Sequence, residues 1–406
     1  MIRFDPMALA RTQLARDHHA TRRFPELFER KIARMKASPF AFLRGAAPLF
    51  YDLLLHRRSL SEGPRGSGHI VGDLHLENFG AYRPVDPAFE KRGGEALTRI
   101  AATFGLNDFD DATIGPWRFD LLRLTTSLIL AAREMGASGT EALHMSDSLL
   151  DAWNEHAHPK GRRRAVALPR PVAELVNQVA MRTRKQLLDA RTEIVGGRRR
   201  FMRGPRYRDL PADLRKQVPA AFTRYVASLE ESERPDPERL EIVDAAFRIA
   251  GTGSLGALRI AVLVAGKGGV DGGWIFDMKE QGAPSSHALC TPPKRNGAKR
   301  VRLALSGSLA EPPRMVGVTR LDGVPMLVRR LNPQDDKLDI SRLDHEDLEP
   351  LAHYLGCLVG EAHCRGATDP GRVWKPRERA ELIEKAIALA GVHEAVYLAY
   401  CNLTRR

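Results

Sequence analysis

The order of apolar and polar residues predicts helices and strands in different parts of the chain. Near the C-terminal end, apolar side chains recur at helical spacing, which predicts an amphipathic helix ending near residues 362–366. Its apolar positions are Leu348, Leu351, Ala352, Leu355, Val359 and Ala362. Residues 257–264 are instead β-branched and Leu-rich and precede a glycine turn, which predicts a strand. A further strand is predicted at residues 274–279.

These patterns divide the chain into three segments. Residues 1–240 are predicted to be mainly helical, with a loop at 61–68. Residues 241–335 are rich in predicted strands, and the last of these ends at Leu331 just before a proline. Residues 336–406 return to helix. We therefore expect an α+β protein with one strand-rich segment between helical ones.

Length and composition fit a two-lobed intracellular protein. The 406 residues are 43% hydrophobic and 28% charged, which is enough to form two cores. The four cysteines form no C-x-x-C pair, as is typical of free thiols in a reducing compartment. No apolar signal segment follows Met1, and the apolar stretch 121–132 is too short to span a membrane. We therefore expect a cytoplasmic protein without membrane association.

The net charge of +13 raises the hypothesis of a nucleic-acid partner. Residues 160–164 and 198–203 are dense basic patches. Few aromatic residues are interleaved with the arginines, and no nucleic-acid-binding motif accompanies them. A solvated basic surface is the favoured interpretation, and nucleic acid or an anionic acceptor is the alternative.

Two acidic motifs contain residue types suited to metal and phosphate chemistry. The first motif, residues 71–78, reads VGDLHLEN, and the second motif, residues 107–111, reads NDFDD. In the phosphotransferase pattern, an Asp orients the acceptor hydroxyl, an Asn five residues later binds Mg²⁺, and a later Asp-Phe adds a carboxylate. Asp73, Asn78 and Asp108 fit these three roles in that order. Mg²⁺ prefers oxygen ligands and is typically held by one or two carboxylates plus nucleotide phosphates.

Other interpretations of the first motif are open. If the motif is a strand, Asp73, His75 and Glu77 share one face and are potential ligands of a metal-dependent hydrolase, although no second His-rich cluster follows. Alternatively, Asp73 and Asn78 only cap turns. His75 either contacts phosphate or braces the loop through one ring nitrogen.

A glycine-rich loop and a lysine predict where a nucleotide binds. Residues 251–256 read GTGSLG, and they precede a strand-turn-strand pattern rather than the helix that follows a dinucleotide-binding loop. The candidate nucleotide-binding residues of the loop are Gly251, Gly253, Ser254 and Gly256. Lys279, at the end of the second strand, occupies the position of a phosphate-binding lysine. Without the loop, a solvated edge-strand lysine would be the better interpretation.

Taken together, these residues resemble an uncharacterised bacterial family, the domain of unknown function 2252. The resemblance covers most of the chain. Its marks are residues 38–47 (SPFAFLRGAA), 72–80 (GDLHLENFG), 107–111 (NDFDD) and 116–120 (PWRFD), with the glycine-rich loop and Lys279 followed by Glu280.

The same motifs are similar to those of aminoglycoside phosphotransferases, a branch of the protein kinase-like superfamily. The resemblance implies a two-lobed protein kinase-like fold with a small antiparallel-sheet lobe and a large, mainly helical lobe. The fold would be circularly permuted, because the acidic motifs precede the glycine-rich loop. Residues 1–240 would form the helical catalytic lobe, residues 241–335 the nucleotide-binding lobe, and residues 336–406 the helices that complete the catalytic lobe.

The resemblance also implies roles for single residues and a set of cofactors. Asp73 and His75 would be catalytic, Asn78 and Asp108 would bind Mg²⁺, and the glycine-rich loop with Lys279 would bind ATP. Asp120 matches a structural Asp in the helix after the second motif. Two departures are Val71, where that superfamily usually has His, and residues 299–305, which contain no Glu to pair with Lys279.

The sequence therefore predicts an ATP- and Mg²⁺-dependent phosphotransferase that acts on a hydroxyl-bearing acceptor. The alternatives are a catalytically silent nucleotide-binding regulator and a metal-dependent hydrolase. Glu280, Glu311 or no residue is expected to take the part of the Glu that pairs with Lys279. Arg44, a charge among apolar residues, is expected either to form a structural ion pair or to face the substrate.

Overall fold

The computed structural model describes residues 4–83, 102–158, 166–290 and 296–405 of the chain. Its α-helices are α1 (Pro6–Ala20), α2 (Phe28–Met35), α3 (Pro39–Gly45), α4 (Ala47–His56), α5 (Arg58–Ser61), α6 (Trp117–Glu134), α7 (Gly139–Ala157), α8 (Arg170–Ala180), α9 (Arg184–Asp189), α10 (Ala212–Ala227), α11 (Gly297–Ser308), α12 (His345–Arg365) and α13 (Pro376–Leu403).

The strands form small antiparallel sheets, so the fold is mixed α+β. They are β1 (Ser67–Ile70), β2 (Phe79–Tyr82), β3 (Thr103–Leu106), β4 (Thr113–Pro116), β5 (Thr192–Val195), β6 (Arg198–Phe201), β7 (Tyr207–Arg208), β8 (Ile242–Arg248), β9 (Arg259–Val264), β10 (Trp274–Glu280), β11 (Gly317–Leu321), β12 (Val324–Leu331), β13 (Asp336–Lys337) and β14 (Ala367–Asp369).

The strand-rich segment folds into a six-stranded sheet with the order β11-β12-β10-β9-β8-β7. Successive side chains of a strand point to opposite faces. One face packs against α10, where the rings of Phe222 and Tyr225 lie 5.2 and 5.6 Å from that of Phe276. The opposite face, which includes Lys279, lines a large cavity.

The helical part is built around α6, which is buried along almost its whole length. It packs against α7 and α13, and α13 also packs against α1. Helices α7 and α12 approach each other closely because glycines face the contact: a Cβ on Gly356 would overlap the carbonyl oxygen of Leu149, and one on Gly360 would contact that of Trp153. Both ends of the described chain therefore contribute to one helical core.

Two three-stranded sheets place the acidic motifs side by side. The strand order is β14-β1-β4 in one sheet and β13-β2-β3 in the other. The first motif links β1 to β2, and the second motif links β3 to β4. Phe79 pairs with Leu106, and the Asn107 N–H donates a hydrogen bond to the Asn78 carbonyl oxygen (2.9 Å). The motifs thus lie next to each other where β2 begins and β3 ends.

Most of the strongly patterned elements occur where the sequence predicts them. The strands predicted at 257–264 and 274–279 are β9 and β10, the last strand of the sheet ends at Leu331, and the helix predicted around 348–362 lies within α12. Residues 192–201 form a hairpin inside a segment predicted to be mainly helical. Its strands are too short for a periodic pattern to be recognised in the sequence.

One described helix, α13, is long and apolar enough to cross a membrane, and 39% of its most apolar window is buried inside the protein. Core helices of globular proteins pass the same test. Leu382, Ala386, Leu389 and Tyr400 are among its buried residues, and they pack against other helices. Helix α13 lies in the segment 336–406 that is predicted to be helical, and the apolar stretch 121–132 lies within α6.

Candidate functional site

A cavity of about 1820 Å³ lies between the six-stranded sheet and the helical part. All the candidate site residues derived from the sequence line it: Asp73, His75, Asn78, Asp108, Gly251, Gly253, Ser254, Gly256 and Lys279.

Asp120, in the first turn of α6, supports the backbone of the first motif. Its carboxylate accepts hydrogen bonds from the N–H groups of Val71 (2.7 Å) and Gly72 (2.8 Å). The same carboxylate lies 3.1 Å from Nε2 of His363, whose Nδ1 accepts a hydrogen bond from the Trp153 indole (3.0 Å). Because Nδ1 accepts, Nε2 carries the proton and donates to Asp120. His363 of α12 therefore helps to support the first motif, which has Val71 rather than a histidine of its own.

The turn into Asp73 requires glycine. Gly72 has a φ of +83°, and a Cβ there would overlap the carbonyl oxygen of Asp111 in the second motif. Left-handed backbone of this kind favours glycine because it has no Cβ. The Tyr51 hydroxyl donates a hydrogen bond to the Gly72 carbonyl oxygen. The turn therefore joins the two motifs and fixes the direction of the Asp73 side chain.

Asp73 is held by a buried arginine of α6. Its Oδ1 accepts a hydrogen bond from Arg123 Nε (2.6 Å) and lies 2.5 Å from Nη2. Arg123 also donates to the Leu43 carbonyl oxygen (2.9 Å), and its guanidinium lies over the Phe50 ring. Burial raises the pKa of Asp73 to about 7, although Arg123 opposes this shift. The carboxyl group therefore changes its protonation state near neutral pH.

His75 and Asn78 form hydrogen bonds within the first motif. Asn78 Oδ1 accepts a hydrogen bond from the His75 N–H (2.7 Å), and His75 Nδ1 accepts one from the Glu77 N–H (3.2 Å). Residues Leu76–Asn78 form a 3₁₀ helix, so the strand on which the hydrolase interpretation depends is wrong. Burial, together with nearby Arg44, lowers the pKa of His75 well below its usual value. The ring is therefore neutral and braces the loop.

Arg44 forms an ion pair with the same motif. Its Nη2 lies 2.5 Å from a carboxylate oxygen of Glu77, and its guanidinium lies over the Phe40 ring. Arg44 also lines the cavity. It therefore meets both sequence expectations, a structural ion pair and a place beside the cavity.

Asp108, in the second motif, has oxygens available to a ligand. Its closest hydrogen bond is a long one from the Asp110 N–H (3.4 Å), and it makes no direct ion pair within the described ranges. Burial alone would raise the pKa of Asp108, but Lys279 and Lys337 outweigh it and lower that pKa. Next to it, Asn107 lines the cavity with a buried Oδ1 that has no hydrogen-bond partner in the described residues.

The partner of Lys279 is Asp110, also in the second motif. Glu280 instead lies 3.4 Å from Arg23. Among the described residues, neither Glu280 nor Glu311 is the partner of Lys279, and the residue that pairs with it is an Asp rather than a Glu. Lys279 and the second motif are joined directly, across the gap between sheet and helices.

Helix α11 holds the second motif through one arginine. Arg300 donates hydrogen bonds to the carbonyl oxygens of Asp110 (2.9 Å), Ala112 and Gly282. Residues 299–305, which contain no Glu, lie in this helix. Its contribution to the site is therefore an arginine bound to backbone rather than a carboxylate bound to Lys279.

The glycine-rich loop rests on helices α1 and α2. Gly251 and Gly256 have positive φ values of 84° and 104°, and a Cβ on Gly256 would overlap the Ala20 carbonyl oxygen. Lys31 Nζ donates a hydrogen bond to the Gly253 carbonyl oxygen (2.7 Å). The loop is therefore fixed from behind while its other side lines the cavity.

Sequence reasoning missed several residues that organise the site. Arg123 gave a signal, since it is a charge inside an apolar helical run, but its partner lies fifty residues away. Asp277, in the middle of β10, pairs with Arg248 (2.8 Å) and Arg259 (2.5 Å). A carboxylate in a buried strand requires such partners, yet local sequence does not identify them.

The structure describes only one of the two basic patches that suggested a nucleic-acid partner. Residues 160–164 lie outside the described residues. In residues 198–203, three of the arginines are paired: Arg199 with Asp189 and Asp271, Arg200 with Glu193, and Arg203 with Asp209 and Asp244. These pairs neutralise much of the second patch, and nucleic-acid binding stays an untested prediction.

The residues around Asp108 fit Mg²⁺ better than a metal that needs a full protein cage. Among the described residues, no group of three or more His, Cys, Asp or Glu side chains could hold a metal. Mg²⁺ keeps several waters and is bound through one or two carboxylates plus phosphates. The Asp108 carboxylate, the Asn78 amide and the unpaired Asn107 oxygen match this small set of oxygen donors.

Comparison with known proteins identifies one family. A family model described as an uncharacterized protein conserved in bacteria (DUF2252) matches residues 23–402. No curated protein and no solved structure matches the chain.

Proposed function

The chain belongs to the bacterial family DUF2252, and we propose that it is an ATP- and Mg²⁺-dependent phosphotransferase acting on a hydroxyl-bearing acceptor. The observation that carries the proposal is that Asp73, Asp108 and Lys279 line one cavity, although more than two hundred residues separate the first from the last. Phosphoryl transfer depends mainly on positioning a hydroxyl, a metal and a phosphate chain together.

The proposal includes a circularly permuted protein kinase-like fold. The glycine-rich loop connects β8 and β9, Lys279 lies on β10, and α11 precedes β11 and β12. Kinases likewise have a glycine-rich loop, then a strand with the phosphate-binding lysine, then a helix. In kinases the catalytic and metal-binding loops follow this lobe, whereas the two acidic motifs here precede it. The element order therefore supports a permutation.

Asp73 is the proposed base and positioning residue. Arg123 contacts only its Oδ1 in the described structure, which leaves Oδ2 available to an acceptor hydroxyl. Ionised Asp73 would accept the hydrogen bond of that hydroxyl and take its proton as the oxygen bonds to the γ-phosphorus of ATP. The bond from that phosphorus to the bridging oxygen would break, and ADP would leave. Arg123 keeps the carboxylate in one orientation, because the guanidinium itself is fixed by Leu43 and Phe50.

The remaining roles follow from charge and chemistry. Asn78 and Asp108 would hold Mg²⁺, which when bound would neutralise the charge of the transferred phosphoryl group. Lys279 and the backbone N–H groups of residues 251–256 would hold the nucleotide phosphates. Lys279 would then share its charge between Asp110 and phosphate, because its ammonium group has three donors.

A nucleotide-binding regulator without turnover is the second candidate. It is favoured by the engagement of both principal side chains in ion pairs, Asp73 with Arg123 and Lys279 with Asp110. Such ion pairs would maintain the shape of a nucleotide-binding site without contributing to catalysis. The free oxygen of Asp73 and its pKa near 7 favour the enzyme instead.

ATP consumption over a panel of hydroxyl acceptors tests the proposal. Asp73→Asn should reduce turnover by about 10²-fold or more while ATP affinity stays nearly unchanged, because the residue positions the acceptor. Chelation of Mg²⁺ should abolish turnover in the wild type. Asp213→Asn, an exposed site on α10, is the matched control. If the wild type binds ATP but consumes none with any acceptor, the regulator takes the place of the enzyme.

A further inference from the structure

The wall that the six-stranded sheet presents to the cavity is charged. Strand register places Lys279 opposite Arg259 on one side, and Asp277 opposite Arg329 on the other. Directly opposed residues of paired strands lie on the same face. These side chains, with Arg248, line the cavity.

The apolar half of the same sheet face is already covered. Ala246, Ala261, Leu263 and Ile275 pack in one cluster with Leu188, Phe201 and Tyr207. The rings of Phe201 and Tyr207 stack with centroids 4.7 Å apart. This cluster covers part of the apolar surface of the face, while charged residues of the face line the cavity.

Two cations in this end of the cavity have no ion-pair partner among the described residues. Asp277 pairs with Arg248 and Arg259, and Asp110 pairs with Lys279. Arg329, on β12, and Lys337, on β13, line the cavity but form no ion pair or side-chain hydrogen bond with any described residue. Arg329 is half-buried and Lys337 is exposed, so an anionic partner would stabilise the arginine most.

Both cations lie close to the second motif. Lys337 pairs in register with Gly80 of β2, two residues after Asn78. Arg329 lines the same cavity from the sheet, and the two side chains together contribute to lowering the pKa of Asp108. The two charges therefore act on Asp108 from two different strands, β12 and β13.

The carboxyl groups at this end are mostly engaged. Asp336 pairs with Arg182 (2.6 Å). Asp335 accepts a hydrogen bond from the Asn332 N–H (3.1 Å), and burial raises the pKa of Asp335, which favours its neutral form. Asp108 itself is the proposed Mg²⁺ ligand. The charge of the Asp108 carboxylate would be neutralised by the bound metal. Arg329 and Lys337 would then remain available to an anionic group of the ligand.

We propose that Arg329 and Lys337 form a second anion subsite beside Asp108, and that this subsite binds a phosphate group of the ligand. The inference rests on the proposed function for the metal at Asp108. An arginine supplies a planar set of donors suited to phosphate oxygens, and a lysine supplies a compact charge. The phosphate belongs either to the nucleotide chain or to a phosphorylated acceptor.

Calorimetry with the full chain tests the subsite. The probes are Mg²⁺-ATP, Mg²⁺-tripolyphosphate, and inorganic phosphate added to protein saturated with a non-hydrolysable ATP analogue. The test variant is Arg329→Gln/Lys337→Gln. The control variant is Arg206→Gln/Lys216→Gln, which has the same change of charge at two exposed sites outside the cavity. Lys279→Ala is measured in parallel.

If the phosphate is that of the nucleotide, the test variant should bind Mg²⁺-ATP and Mg²⁺-tripolyphosphate at least tenfold more weakly than the control variant. If it is that of the acceptor, ATP affinity should be unchanged and the binding of inorganic phosphate to the saturated protein should be lost. Either result supports the subsite. Equal affinities of test and control variants for all three probes overturn it.

The same measurements separate this inference from the proposed function. ATP binding that falls in Lys279→Ala, together with equal affinities of the test and control variants for all three probes, removes the subsite and keeps the phosphotransferase. Phosphate binding that needs Arg329 and Lys337 in a protein that does not bind ATP keeps the subsite and removes the phosphotransferase. A wild type that binds none of the probes removes both.

Discussion

Asp73 illustrates how burial and an ion pair act in opposite directions on one carboxyl group. The enclosed position favours the neutral form, and Arg123 favours the charged form. Burial dominates, so the pKa of Asp73 rises to about 7. Arg123 remains necessary because it sets the orientation of the carboxylate, which a base must hold within hydrogen-bond reach of its substrate.

The activity should depend on pH through the protonation state of Asp73. If ionised Asp73 is the base, kcat/KM should rise with pH through about 7, close to tenfold per pH unit below that value. The shift also affects stability: the folded state binds this proton more tightly than the unfolded chain, so ionisation of Asp73 costs stability as the pH rises from about 4 to about 7. Steady-state kinetics in buffers of constant ionic strength measure the profile. A flat profile from about pH 5.5 to 8 would remove Asp73 from the role of base.

Residue types and spacing indicated which side chains line the cavity better than they indicated the ion pairs of those side chains. Asp73, Asn78 and Asp108 could be singled out because their types and spacing suit metal and phosphate chemistry. The partner of Lys279 could not, since Asp110 lies 169 positions away. No local sequence pattern indicates which carboxylate will pair with a lysine on a distant strand.

At the level of elements, close packing of α7 on α12 depends on two glycines. Backbone to backbone contact at Gly356 leaves no room for a side chain. Interiors are packed densely, and inserted methyl groups force the surrounding structure to move. The position of α12 matters to the site because this helix carries His363.

Gly356→Val should therefore destabilise the protein by about 1–3 kcal/mol or more. The control is Gly391→Ala in α13, where a Cβ would meet no atom within 4 Å; this change should stabilise by about 0.5–1 kcal/mol, since alanine is the better helix former. Urea unfolding measures both free energies. Equal effects of the two substitutions would contradict the packing argument.

Elements were predictable where a pattern persisted over several residues. The apolar run at 257–264 predicted β9 because this strand is buried over most of its length, and the helical spacing from Leu348 to Ala362 predicted α12 because these positions are buried. The hairpin of β5 and β6 was missed because each strand has only four residues. Helix α13 lies within the segment predicted to be helical, but the sequence does not mark its bounds, because its apolar residues surround it and no single stripe marks the buried face.

Over the whole molecule, the first acidic motif depends on residues from the other end of the sequence. His363 donates to Asp120 across 243 positions, and Trp153 fixes its tautomer. The support of Asp73 is thus a chain of buried hydrogen bonds through α7, α12 and α6. Removing one member leaves the others without partners, which costs about 1–3 kcal/mol for each buried group.

His363→Leu should lower the free energy of unfolding by roughly 2 kcal/mol or more and reduce turnover more than ATP affinity, because the lost contact supports the Asp73 loop. His353→Leu, an exposed site on the same helix, is the control. Urea unfolding and separate measurement of kcat and ATP affinity distinguish the effects. A variant as stable and active as the control would show that the support is dispensable.

The order of segments has a consequence for how the chain reaches this structure. The acidic motifs are synthesised long before α12 and α13, so their supporting contacts form late and over long loops, which is typical of slowly folding topologies. Until α13 docks on α1 and α6, a 28-residue helix with the apolar character of a membrane span stays uncovered. Nascent chains with such exposed surface are prone to aggregate and are bound by chaperones. We therefore expect the yield of active protein in cells to be limited by docking of its last helix rather than by formation of the site itself.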